Sequence, residues 1–150
     1  MLKILSLSLC LASFSLASEV DLNTPSRAVQ SYYDAINEGD LNSLSKVMVK
    51  ESYDTDVQVY ALSIALKNKE FHKTLKQYSE SETAKQSVLQ AVEKKLQNRK
   101  KRDIVINKEV PIGKNRVMVR FSENLKPKQL YLSHHPEGWK IDYLAGRKTN

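Results

Sequence analysis

Apolar residues recur along this chain with two periods, and the switch between them divides it. From residue 24 the spacing is helical. Thr24-Pro25 opens a helix, with Thr at the N-cap and Pro at the first helical position, where a missing N–H costs nothing. Val29, Tyr32, Tyr33 and Ile36 form one apolar stripe, with Arg27, Gln30 and Asp34 off it. Gly39 ends that helix by taking the left-handed C′ conformation. Asp40 then caps a second, short helix whose inner face is Leu41, Leu44, Val47 and Met48. Residues 50–56 read as a polar turn. The run 57–66 alternates like a strand at its start, but its length and an N-cap at Asp56 predict a helix. Phe71, Leu75 and Tyr78 keep the helical period. Ser81 opens a last helix with Val88, Ala91, Val92 and Leu96 inside, ending in the basic run 99–102, where cations complement the helix dipole.

At Asp103 the period falls to two. Ile104-Val105-Ile106, Val117 to Phe121, Leu130-Tyr131-Leu132 and the alternation of Trp139, Ile141 and Tyr143 predict four strands. Turns are expected at residues 111–115, at 124–128 around Pro127, and at 134–138, where Gly138 is the breaker. Short links make the strands an antiparallel meander. Helices followed by such a sheet predict an α+β domain in which the helix stripes cover one sheet face.

The first residues follow a different logic. Lys3, an apolar stretch from Leu5 to Leu16, and small residues at Ser15 and Ala17 are the parts of a secretory leader in their usual order. Residues 1–17 are expected to be a signal peptide cut after Ala17, leaving 18–150 as a single domain exported to the periplasm. Cys10, the only cysteine, follows Leu9 rather than a small residue, so lipid anchoring there is disfavoured. Cleavage removes that cysteine and, among charges, Lys3 alone, so the net +7 of the 150-residue chain becomes +6. A basic surface of this size is drawn weakly to anionic surfaces. Export argues against nucleic acid as the partner.

The layout resembles the nuclear transport factor 2-like superfamily, and most closely its small exported branch of unknown function, whose members are often lipoproteins. The residues that carry the likeness run Pro25-Ser26-Arg27-Ala28-Val29-Gln30-Ser31-Tyr32-Tyr33-Asp34-Ala35-Ile36-Asn37-Glu38-Gly39-Asp40. They follow that branch's P-x-x-A-V-x-x-Y-Y-x-A-x-x-x-G-D opening. Gly138-Trp139-Lys140-Ile141 is similar to its closing G-x-W-K-I strand. The resemblance implies a cone: helices packed on a bent four-stranded antiparallel sheet. Enzymes, ligand carriers and assembly modules all use that fold, so it does not choose among them.

Pocket or core candidates are Tyr32, Tyr33, Ile36, Tyr60 and Trp139. A buried Tyr can hydrogen-bond a carbonyl ligand, or can simply pack with its hydroxyl at a polar edge. Asp34 is expected to face water. His72 sits in a charged helical stretch, and the pair His134-His135 lacks a third ligand at metal-binding spacing. No HExxH, P-loop or GxSxG motif occurs, so no catalytic residue, metal or cofactor is assigned. Lys94, Lys95, Arg99, Lys100, Lys101 and Arg102 form the basic surface, read either as a dock for anionic lipid or polymer or as a solvated helix end. Trp139 is read as an anchor under the helices, with an aromatic ligand platform as the alternative. These features predict an exported, non-enzymatic binding or envelope-interaction domain for a small apolar ligand or an envelope protein. The alternative is a small-molecule enzyme of isomerase, cyclase or dehydratase type.

Overall fold

The computed structural model describes residues 19–147. The expected leader 1–17, its cut after Ala17, Cys10 and the last three residues of the tail lie outside that range. Among the described residues five helices precede four strands: α1 (Pro25–Glu38), α2 (Leu41–Val47), α3 (Lys50–Ala65), α4 (Lys69–Lys76), α5 (Glu82–Gln97), β1 (Ile104–Gly113), β2 (Arg116–Glu123), β3 (Lys126–His135) and β4 (Gly138–Ile141). The strands form one antiparallel sheet in the order β1-β2-β3-β4. The architecture is therefore α+β with the helices leading.

Local chemistry sets the first helix. The Thr24 hydroxyl accepts from the Arg27 N–H, Pro25 fills the first turn, and Gly39 closes the end at φ 69°. A Cβ at Gly39 would stand 2.6 Å from Gln97 Cγ and 2.9 Å from the Glu93 carbonyl, so glycine is needed both for the dihedral and for the close passage of α5. Asp40 caps α2 through the Ser43 N–H, and Ser81 caps α5 through that of Ala84.

The α1 stripe crosses the sheet, lying against β1, β2 and β4 as well as α2 and α5. Val29, Tyr32, Tyr33 and Ile36 are buried against Val117, Val119, Phe121, Leu132 and Ile141. Tyr33 meets Phe121 edge to face, centroids 5.4 Å apart, an arrangement worth ~0.5–1.5 kcal/mol beyond burial. Val88, Val92 and Leu96 of α5 complete the same core. Strand β1 is bulged at two places, between Ile106 and Lys108 and between Pro111 and Gly113. Bulges of this kind bend and twist a strand locally. At the other edge Val49 N–H donates to the Ile141 carbonyl, so the α2–α3 junction covers the free side of β4.

Several boundaries differ from the sequence reading. Residues 50–56 are no turn but the first two turns of α3. Asp56 therefore lies inside a helix, and Val49 occupies the N-cap without a side-chain bond. The polar residues misled because α3 is amphipathic on neither side: Val57 and Ala61 are buried, while Val59 and Leu62 are exposed. Helix α5 stops at Gln97, so the run 99–102 lies in the connection beyond it. The three turns are shorter than expected. Pairing continues through Gly113, resumes at Lys126 and persists to His135, leaving two-residue links. Pro127 sits within β3 opposite Ser122, where no β4 residue needs its missing N–H, because β4 pairs only with Leu132 to His135. Tyr143 falls in the turn after β4 rather than in the strand.

Candidate functional site

Two groups of partly buried polar side chains join the helices to the sheet. The first joins α1, α3 and the segment after β4. Asp56 accepts from the Tyr32 hydroxyl at 2.8 Å and from the Tyr143 hydroxyl at 2.7 Å, one to each carboxylate oxygen. The two hydroxyl oxygens are 3.3 Å apart. One turn earlier on α3, Ser52 Oγ accepts the Tyr143 N–H at 3.0 Å. Ser52 and Asp56 thus present one polar stripe, spaced i, i+4, to the end of the sheet.

Burial pushes the Asp56 carboxyl above its ordinary 3.8, against the lowering pull of the Tyr143 and Tyr32 hydrogen bonds and the Arg102 charge. Burial and the Asp56 charge raise Tyr32 well above 10.0 and raise Tyr143 as well. Both phenols therefore stay protonated and act as donors to the carboxylate.

The second group is centred on Arg102. Its N–H donates to Asn37 Oδ1 at 2.8 Å, and its carbonyl accepts from Asn37 Nδ2 at 2.9 Å, so the end of α1 holds the chain leading into β1. The side chain turns inward, with Nη1 3.0 Å from Glu123 Oε1. That contact is ionic only, since Glu123 Oε1 has no hydrogen-bond partner. Lys128 Nζ lies 3.9 Å from the other carboxylate oxygen. Burial lifts the neighbouring Tyr33 phenol to about 12, with Glu123 adding to the rise and Arg102 opposing it. Arg102 thus leaves the predicted basic surface, because a buried carboxylate needs its charge.

An open cleft lies elsewhere. A cavity of about 630 Å³ runs between the α2–α3 junction, α5 and the β3–β4 turn. Met48, Tyr53, Tyr78 and Leu89 give it an apolar and aromatic lining. Its charged residues are partly self-matched: Lys50 pairs with Asp54, and Lys140 Nζ lies 3.8 Å from Glu137. Burial carries Tyr53 up to about 12. Tyr32, Asp56 and Tyr143 do not line this cleft.

The remaining sequence candidates are dispersed. Tyr32, Tyr33 and Ile36 are buried in the core, and Tyr60 is half-buried beneath Arg99, whose guanidinium carbon sits 5.5 Å from the ring centroid. Trp139 is half-buried and packs at the core's edge, T-shaped against the exposed His134. Its partial burial matches the half-buried strand that the alternation predicts, and it packs against the core from β4, an edge strand of four residues. His135 bonds Ser133 Oγ and His72 is exposed. Asp34 is half-buried and accepts from Gln30 on its own helix. Lys94, Lys100 and Lys101 are exposed. Among the described residues, no group of three or more His, Cys, Asp or Glu could hold a metal ion, and no helix is long and apolar enough to cross a membrane.

Sequence reasoning missed Asp56, Tyr143, Ser52 and Glu123 as members of these groups, along with the cleft. The signal that was present is the spacing of Ser52, Asp56 and Tyr60, hydroxyl- and carboxyl-bearing positions four apart on one helical face. No family model matches the chain, and no curated protein or solved structure matches it at a significant level.

Proposed function

We propose that this chain is an exported, non-enzymatic binding domain built on the nuclear transport factor 2-like cone, and that its ligand seat is the cleft beside α3 and α5. The order of five helices before an antiparallel sheet, with α1 laid across the sheet, supports the cone. One observation carries the functional reading. Both oxygens of the interior carboxylate Asp56 are occupied by tyrosine hydroxyls, while an aromatic-lined cleft of about 630 Å³ stands open elsewhere. Small-molecule sites are concave and combine apolar surface with polar groups, and this cleft sets Met48, Val49, Tyr53, Tyr78 and Leu89 beside the charged side chains of Lys50, Glu51, Asp54, Lys85, Glu137 and Lys140. Its occupant is a small molecule with an apolar or aromatic body, or an apolar side chain of a partner.

The Tyr32–Asp56 contact favours a second reading, since a phenol and a carboxyl in hydrogen-bond reach can move a proton. The reading then is an isomerase, cyclase or dehydratase working at that pair. A titration with the uncharged dye Nile red separates the two. Saturable binding lost in Leu89→Arg and kept in Asp56→Asn supports the cleft. Binding lost in Asp56→Asn and kept in Leu89→Arg overturns it in favour of the interior pair, and no saturable binding at all removes the cleft as a ligand seat.

A further inference from the structure

We infer that the end of the molecule where α5 gives way to β1 is a docking surface for anionic lipid headgroups. Val59 and Leu62 of α3 and Leu66 at its C-cap are 57%, 52% and 87% exposed. Their spacing of three and four residues places them on one helix face, an apolar stripe left exposed among the described residues. Beside that stripe, Val59, Tyr60 and Ser63 share a cavity of about 550 Å³ with Lys95, Asn98 and Arg99 of the α5 end. From Lys94 to Arg102 the sequence carries six cations and no carboxylate. Arg102 turns inward to Glu123, Lys95 is half-buried, and Lys94, Arg99, Lys100 and Lys101 are exposed.

The β2–β3 hairpin brings a further apolar group to the same connection. Its tip is tied there by the Asn124 N–H, which donates to the Asp103 carbonyl at 3.0 Å. The next residue, Leu125, is 95% exposed and holds φ 67°. A bulky side chain in the left-handed region is strained where glycine would not be. No packing offsets that strain, because the leucine stands bare in water. Lys126 follows it directly.

Apolar side chains standing among cations match an anionic bilayer surface. The leucines enter the boundary between headgroups and acyl chains, and the ammonium and guanidinium groups meet the lipid phosphates. A soluble anionic polymer would engage the cations and leave Leu62, Leu66 and Leu125 in water. Charge complementarity and the apolar stripe together therefore select a lipid surface. This surface shares no lining residue with the cleft, so the two readings stand or fall separately.

The test is co-sedimentation of the full chain with vesicles of phosphatidylcholine, with and without phosphatidylglycerol. Every variant is prepared with the same N-terminus, so any contribution from the leader cancels in the ratios. The expected result is binding that needs phosphatidylglycerol and weakens as salt rises. Lys100→Ala and Lys101→Ala should each lower the partition coefficient about fivefold. The combined Leu62→Ser, Leu66→Ser and Leu125→Gly variant should lose roughly tenfold or more with its circular dichroism unchanged. Equal binding to uncharged vesicles overturns the inference, and so does the absence of vesicle binding. Wild-type partition in the triple leucine variant also overturns it, because it reduces the surface to adsorption by charge alone, as a polymer or an acidic protein would provide.

Discussion

Removing one oxygen atom tests the interior tie. In Tyr143→Phe the ring and its packing remain, and only the hydroxyl that donates to Asp56 at 2.7 Å is lost. Hydrogen bonds to a charged partner contribute about 1.5–3 kcal/mol, and the carboxylate keeps its second donor, Tyr32. Because Asp56 is partly accessible, water can replace some of the lost interaction, so the expected cost is about 1.5–2 kcal/mol. For a domain of this size that lowers the melting temperature by roughly 5–8 °C. Urea denaturation should show a lower midpoint at unchanged slope, since no additional surface is exposed on unfolding. The cycle with Tyr32→Phe sharpens the test. The two phenols share one carboxylate and lie 3.3 Å apart, so their effects should depart from additivity by ~0.5 kcal/mol or more. A Tyr143→Phe loss below about 0.5 kcal/mol, with strictly additive singles, would refute the assignment of this group as a structural tie between α1, α3 and the end of the sheet.

Four further outcomes follow from the same geometry. Asp56 has a folded-state carboxyl raised by burial above its ordinary 3.8, so the native state binds its proton more readily than the unfolded chain does. Its ionisation costs stability at neutral pH, and that cost is recovered as pH falls through the raised value toward 3.8; Asp56→Asn should flatten this part of the stability–pH curve measured by urea midpoints. Gly138 holds φ 123°, and a Cβ there would meet the Leu22 carbonyl oxygen at 2.5 Å, so Gly138→Ala should destabilise by about 2 kcal/mol in the same assay. Trp139→Ala should cost about 2 kcal/mol, below the 3–5 typical of a fully buried Trp, because the ring is half-exposed on an edge strand. Leu125→Gly should raise stability by about 0.5–1 kcal/mol by relieving its left-handed backbone, and a loss of stability would show that the leucine packs in the folded state.

Much of the fold was legible because its rules are local. The Thr24 cap, Pro25, the stripe 29–36 and Gly39 are each decided within a few residues, and α1 follows them from end to end. The meander was equally legible, since alternation and short polar links fix both strand and pairing. Helix α3 was misread at its start because its exposed face carries charge and apolar residues together, which hides the period. The interior groups were out of reach for a different reason. Tyr32 and Asp56 are 24 positions apart, and Tyr143 is 87 beyond Asp56. Only the packing of α1 and α3 over the end of the sheet brings them together. The same holds for Arg102, whose inward turn depends on Asn37, 65 positions earlier. A basic run read in sequence looks uniform, and tertiary structure withdraws one member to balance Glu123.

The claim that the cleft, rather than the interior tyrosine–carboxylate group, receives the ligand is tested most directly by amide chemical-shift mapping during a Nile red titration. The account predicts shifts concentrated at Met48, Tyr53, Tyr78, Leu89 and the β3–β4 turn. Shifts centred on Tyr32, Asp56 and Tyr143, with the cleft unmoved, would contradict it.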